Sequence, residues 1–262
     1  MMRLSVAQRS ECGGRRHNED SLGFCANDTM GCFVLADGAG GYTGGAVAAR
    51  LVVRQVLSQF SLRPEVCPNA IAATIPAARH TLADARKRYP LLSRMDTTIA
   101  TLMLDTQQAL AYWSYLGDSR IYLFRSGRAR MLTNDHSVLQ SMIDAGFAQG
   151  AARGDKRRNT LYASVGNGEV PAMAVCDKPI SLRSGDIFLL CTDGFWEGVS
   201  EDEMEAMLQQ AESPERWISD MVRRFAVPAE DQDNFSALAV WVGEREETTR
   251  VLPAGAFKPA RQ

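Results

Sequence analysis

The sequence predicts an α+β protein in which antiparallel sheets carry helices on their outer faces. Three observations lead there. Strand-like apolar runs follow one another closely between residues 97 and 132, joined by connections too short for a crossover helix. Helical periodicity falls in two separate blocks on either side of that run, so strands and helices do not alternate as in a parallel α/β sheet. No internal repeat or low-complexity linker interrupts the 262 residues, which favours one continuous domain.

Residues 4–8 alternate weakly and predict a strand, and 21–26 read as extended. The run Cys32-Phe33-Val34-Leu35-Ala36 stops at Asp37-Gly38, as expected of a strand buried on both faces. A loop with five glycines spans 38–45. Residues 46–60 then place Val47, Leu51, Val52, Val56 and Phe60 at helical spacing. Ala-rich 69–89 predicts a second helix, kinked or broken at Pro76. Strands follow at 97–104, 110–116, 121–125 and 128–132, the last two joined by Ser126-Gly127. An amphipathic stretch at 138–145 precedes a basic loop at 153–158. Residues 187–192 form another buried run that ends in Asp193-Gly194. Ser200 with Glu203 predicts a capping box at a helix start. A helix at 217–225 and a closing strand at 235–242 complete the domain, and 244–262 read as a polar tail.

Bulk properties exclude several classes. With 29 Lys+Arg against 31 Asp+Glu the net charge is −2, which argues against nucleic acid as a partner. No apolar stretch is long enough to span a membrane, and the first residues lack the apolar run of a signal peptide. Six unspaced cysteines read as mostly buried thiols of a cytoplasmic protein rather than a disulfide framework. Three histidines without ligand spacing argue against a zinc site.

The chemistry concentrates in five acidic spots, three of them at the end of an apolar strand or directly before one: Glu19-Asp20, Asp37-Gly38, Asp118-Ser119, Asp193-Gly194, and Asp231 with Asp233. A single Asp-Gly is an ordinary turn dipeptide. Two of them, each ending a continuous apolar strand, point to a site. Converging carboxylates repel and raise one another's pKa, and all-oxygen ligation relieves this with Mg²⁺ or Mn²⁺ rather than Zn²⁺. Glu19 and Asp20 are adjacent, so one is expected to bind metal directly and the other to act through water. Of the last pair Asp233 is favoured, because Asn234 and the strand follow at once. Arg15 and Arg16 precede the first acidic pair and suit a phosphate oxyanion.

Taken in order, Arg15-x-x-Asn18-Glu19-Asp20, Asp37-Gly38-Ala39-Gly40-Gly41, Asp96-Thr97-Thr98, Gly117-Asp118-Ser119-Arg120, Asp135-His136-Ser137, Thr192-Asp193-Gly194-x-Trp196 and Asp233-Asn234 resemble the motifs of PP2C-type (PPM) metal-dependent protein phosphatases. The resemblance runs from about Arg15 to Val242. It implies an αββα sandwich of two antiparallel sheets flanked by helices, a catalytic domain at 1–243, and a flap at about 135–168 tied to substrate choice. It implies hydrolysis of phosphoserine and phosphothreonine with two core Mn²⁺ or Mg²⁺ ions and a third, weaker site. Asp37 would bridge the two ions. Glu19 and the Gly38 carbonyl would complete one site, and Asp193 and Asp233 the other. Asp20 would hold metal-bound water, Asp118 with Asp193 the third ion, and Arg15, not Arg16, the phosphate. Catalysis would then rest on Arg15, Asp37 and Asp193. The resemblance also implies a monomer that reverses a bacterial Ser/Thr kinase or acts on its target, some such enzymes serving type VI secretion.

The sequence departs from the family pattern at Ala39, where some members carry a histidine acid, at Tyr42, where Gly-Gly-His is common, and at Asp96, where Gly commonly precedes Thr-Thr. His136 could supply an acid, although its Asp-His-Ser context is more often structural in the family. Other phosphatase chemistries fail directly. The residues six after each cysteine are Asn18, Gly31, Gly38, Ala73, Leu182 and Glu197, so no C-x5-R is present. Asp37-Gly38-Ala39 is not the D-x-D of an aspartyl-phosphate enzyme, and no P-loop or G-x-G-x-x-G occurs. A phosphatase-like binding protein would be expected to have lost metal acids, whereas every matched position here is acidic.

Overall fold

A computed structural model describes residues 2–39, 44–147, 160–225 and 232–244. In chain order the elements are β1 (Leu4–Glu11), β2 (Ser21–Ala26), β3 (Met30–Ala36), β4 (Gly38–Ala39), α1 (Gly44–Leu62), α2 (Pro68–Ala72), α3 (Thr74–Arg88), β5 (Asp96–Thr97), β6 (Ile99–Asp105), β7 (Leu110–Leu116), β8 (Arg120–Arg125), β9 (Arg128–Met131), α4 (Val138–Asp144), β10 (Ile180–Ser181), β11 (Ile187–Cys191), α5 (Asp193–Trp196), α6 (Glu201–Gln210), α7 (Pro214–Val222) and β12 (Phe235–Val242).

Two antiparallel sheets stand face to face. One has the order β1-β12-β11-β8-β9, the other β10-β7-β6-β3-β2. The buried strands explain their continuous apolar sequences by alternation. In β3, Phe33 and Leu35 join Leu190, Leu238 and Val240 between the sheets. Cys32, Val34 and Ala36 point the other way, onto Val52 and Val56 of α1 and Ile75 and Leu82 of α3. In β12, Ala237, Ala239 and Trp241 pack outward against Met204, Leu208, Trp217 and Met221 of α6 and α7. The result is the αββα sandwich.

Three local expectations change. The helix expected at 69–89 is two helices, broken at Ala73 rather than at Pro76. Pro76 lies in the first turn of α3, where a missing N–H costs nothing. The helix expected at 217–225 starts at Pro214, behind a Ser213 cap that accepts from the Arg216 N–H, and gives way to a 3-10 turn at Arg223–Phe225. The cysteines are not mostly buried: Cys32 and Cys191 are, Cys12 is exposed, and the other three are intermediate. Two of those three use their sulfur locally, Cys67 Sγ accepting from Ala70 N–H at the α2 cap and Cys176 Sγ from Trp113 N–H. The capping box Ser200–Glu203 forms as expected. The basic loop at 153–158, Gly40 to Tyr42, Asp231 and the tail from 245 lie outside the described residues.

Candidate active site and metal centre

Strand register brings the acidic spots to one end of the sandwich. In the first sheet Glu11 faces Phe235, and Cys191 faces both Ala237 and Arg120. In the second Ser21 faces Ala36, and Ile99 faces Leu116. Residues just beyond these pairs (Glu19, Asp20, Asp37, Asp118, Asp193 and Asp233) therefore rim a single cleft, each held by a rigid strand end.

The Asp37 backbone is clamped. Its carbonyl accepts from the Thr97 hydroxyl and the Thr98 N–H, both at 2.8 Å, and its N–H donates to Thr98 Oγ1 at 2.9 Å. Gly38 and Ala39 pair with Thr97 and Asp96 as a two-stranded ribbon. Gly38 cannot carry a side chain: a Cβ would stand 2.4 Å from the Gly45 carbonyl and 2.5 Å from the Glu19 carbonyl oxygen. This close approach joins the start of α1, the Glu19 loop and the Asp37 loop.

Asp20 turns into the protein. Its Oδ2 accepts from the Ser236 hydroxyl at 2.6 Å and the Thr192 hydroxyl at 3.1 Å, and Thr192 Oγ1 in turn accepts from Ser236 N–H. Glu19 is oriented by Asn234, whose Oδ1 accepts from the Glu19 N–H while its amide donates to the carbonyls of Cys12 and His17. Asp233 is half-exposed and pairs with Arg15 at 2.9 Å. Asp193 opens α5, and its Oδ1 accepts from Gly194 N–H. Gly194 is obligatory, because a Cβ would meet the Asn234 carbonyl oxygen at 2.1 Å.

The carboxylates repel one another. Burial first, then Asp193, Asp20 and Asp118, push Asp37 well above the usual carboxylate range. Burial also raises Asp193, although its hydrogen bond with Asp37 offsets part of this, and Asp233 adds to the rise. Asp20 is pushed up to about 7, chiefly by burial. Asp118 and Glu19 are raised by burial and then by Asp193 and Asp233 respectively. Glu19 Oε1 and Asp20 Oδ1 are buried without a hydrogen-bond partner among the described residues. No group of three or more His, Cys, Asp or Glu side chains among those residues is spaced to hold one ion, so the acids form a repelling neighbourhood rather than a closed cage. An all-oxygen donor set, two orphaned carboxylate oxygens and mutually raised pKa values fit a hard divalent cation.

Asp118 lies at the same end, and its carbonyl accepts from the Trp196 indole at 3.0 Å. Beside it Arg120 grips Asp135 with two bonds, at 2.9 and 2.7 Å, and lies 3.5 Å over the Trp196 ring. This pins the root of the expected flap. His136 is structural. Its Nδ1 accepts from Gly117 N–H, its ring stacks on Tyr115 at 4.8 Å, and burial pushes it down to about 4. It is neutral at neutral pH and so no proton donor there. Arg15 sits at the cleft, as the motif implies, but is held by Asp233. Arg16 has no ion pair among the described residues. Sequence reasoning missed the roles of Ser236, Gly45 and the Thr192 hydroxyl. Thr192 had a signal in its motif, whereas Ser236 reads as an ordinary strand residue.

The sequence matches the family described as protein phosphatase 2C over residues 8–239. The serine/threonine phosphatase Stp of Listeria monocytogenes is 29% identical over 248 residues, spanning 90% of this chain and 93% of that protein. The crystal structure of Mycobacterium tuberculosis PstP, a serine/threonine phosphatase, superposes with a TM-score of 0.79 at 25% identity, over 92% of this chain and 99% of the other. The catalytic domain of PstP in complex with 2 manganese ions gives 0.77 at 24% identity, over 93% and 100%. Fold, ordered acidic motifs and this match along most of the sequence together make the chain a member of the protein phosphatase 2C family of serine/threonine phosphatases.

Proposed function

We propose that this chain hydrolyses phosphoserine and phosphothreonine in proteins with two divalent cations, Mn²⁺ or Mg²⁺. The observation that carries the reading is the single cleft rimmed by six carboxylates, with Arg15 paired to one of them. Asp37 would be shared between the ions, with Glu19 and the Gly38 carbonyl on one side and Asp193 and Asp233 on the other. Asp118 with Asp193 would serve a third, weaker site. Manganese in the similarly folded PstP domain supports the choice of ion.

Bound cations supply the charge that makes water nucleophilic at neutral pH and withdraws electrons from phosphoryl oxygens. The chain's own groups do the rest. Thr192 and Ser236 hold Asp20 at a fixed orientation, where its remaining oxygen can accept a proton from the attacking water. Arg15, half-exposed and tied to Asp233 by one bond, can release it to grip an equatorial phosphoryl oxygen. Ala39 and the neutral His136 offer no acid, so the leaving alkoxide takes its proton from solvent. In the cell we place the chain in the cytoplasm, as a monomer opposing a Ser/Thr kinase. The relatives' names as serine/threonine phosphatases support a phosphoprotein substrate. No helix among the described residues is long and apolar enough to cross a membrane.

The test is phosphate release from a phosphothreonine peptide with Mn²⁺ and with chelator. Release only with Mn²⁺ is expected. Equal rates in both, or none in either, would overturn the reading.

A further inference from the structure

Asp96 stands where the family pattern has glycine, and the mechanism does not use it. Two of the three hydrogen bonds its carboxylate accepts come from one neighbouring loop. Oδ1 accepts from the Gly166 N–H and from its own neighbour Thr97 N–H, both at 2.7 Å, and Oδ2 accepts from the Ser164 hydroxyl at 2.6 Å. The loop is fitted to this carboxylate. A Cβ at Gly166 would lie 2.8 Å from Asp96 Oδ1 and 2.1 Å from the Arg86 guanidinium, and would push both side chains out of their bonds to the loop. Arg86 bridges the Met95 and Gly166 carbonyls, and Arg79 donates to the carbonyls of Ser164, Asn167 and Gly168. Two helix arginines and one strand carboxylate thus hold four of the five residues 164–168, which form no regular element of their own.

The position of that loop bears on the cleft. Val165 N–H donates to the Thr97 carbonyl at 2.9 Å, and the Thr97 hydroxyl donates to the Asp37 carbonyl at 2.8 Å. Two hydrogen bonds therefore separate the loop from the central carboxylate's backbone. Just before and after the loop, Tyr162 and Val170 are 43% and 42% exposed, so the segment carries large apolar side chains open to a macromolecular substrate. A small phosphate ester has no flanking peptide with which to meet them. The backbone of Asp37 is held by Thr97 and Thr98 rather than by Asp96 itself.

We propose that Asp96 is a positioning residue: it locks the loop 164–168 onto β5 and so sets how protein substrates, but not small aryl phosphates, engage the cleft. The catalytic half of this inference rests on the phosphatase reading above. Its structural half does not, which keeps the two failures apart.

The test uses Asp96→Ala, Asp96→Asn and Ser164→Ala in the full chain. Hydrogen exchange at Val165 and Gly166, read without substrate, is expected to speed up about tenfold or more in Asp96→Ala, where three charge-assisted bonds are lost, and about fivefold in Ser164→Ala, where one is lost. Asp96→Asn keeps acceptors for both N–H groups and should restore most of the protection. With Mn²⁺, KM for a phosphorylated protein is expected to rise about tenfold in Asp96→Ala, while kcat for p-nitrophenyl phosphate stays within about twofold. Unchanged exchange in both Asp96→Ala and Ser164→Ala overturns the lock. Faster exchange with equal losses on both substrates overturns the specificity role. Should Asp96→Ala not fold, Ser164→Ala and Asp96→Asn decide by the same readouts. A wild-type chain without activity on either substrate would fault the phosphatase reading and leave the exchange result standing.

Discussion

Removing divalent ions should make the stability of this protein fall as pH rises, opposite to the behaviour of paired carboxylates. Asp20 is pushed from 3.8 up to about 7, mainly by burial, so the folded chain binds a proton that the unfolded chain has lost. A folded-state pKa above the unfolded one contributes stability that is complete below the unfolded value and is lost as pH rises through the folded value. For Asp20 alone, the loss between about pH 5 and pH 8 is about 2.5 kcal/mol, at 1.36 kcal/mol per pKa unit. Asp37, Asp118, Asp193 and Glu19 are raised too and act in the same direction. In a chain of this size 2.5 kcal/mol corresponds to a drop in Tm of about 5–10 °C. The assay is thermal unfolding by circular dichroism in chelator across that pH range, repeated with excess Mn²⁺. Cations bind the ionised carboxylates, so Mn²⁺ should remove the fall. Asp20→Asn should remove Asp20's share without metal. A chelated Tm that is flat or rises from pH 5 to pH 8 would refute the argument that these acids are frustrated without ions.

Gly38→Ala forces a Cβ to 2.4 Å from the Gly45 carbonyl, and should cost about 1–3 kcal/mol in urea unfolding while abolishing Mn²⁺-dependent phosphate release. Arg120→Lys loses the two-bond grip on Asp135 and the stack on Trp196, both in a mostly buried setting, and should cost about 2–4 kcal/mol in guanidinium unfolding. His136, lowered to about 4 by burial, should stay neutral with its proton on Nε2 down to about pH 5 in ¹⁵N imidazole spectra. Its contribution to stability is full above its unfolded pKa and is lost as pH falls toward 4.

The parts legible in the sequence were those that repeat locally or end abruptly. Cys32 to Ala36 and Phe235 to Val242 read as buried strands because each strand has an apolar layer on both faces. Asp37 and Asp193 stood out because each cuts such a run short. Contacts set by tertiary closure left no local trace. Ser236 meets Asp20 across 216 positions, and Arg15 meets Asp233 across 218. The ribbon of β4 and β5 has two residues per strand, too few to show a period. Asp96 was visible only as a departure from a pattern, and its purpose emerged once Gly166 and Ser164 were seen beside it. The Pro76 expectation failed because proline is harmless in a first turn, and the sequence alone did not show that α3 begins at Thr74.

The central claim is that carboxylates from separate strand ends form one binding site for divalent cations. Calorimetric titration of the chelator-stripped chain with Mn²⁺ tests it without reference to turnover. About two ions are expected to bind per chain, with protons released on binding near pH 7, and this binding is expected to be lost in folded Asp37→Asn and Asp193→Asn variants. Mn²⁺ binding that is absent from the wild-type chain, or unchanged in both variants, would contradict it.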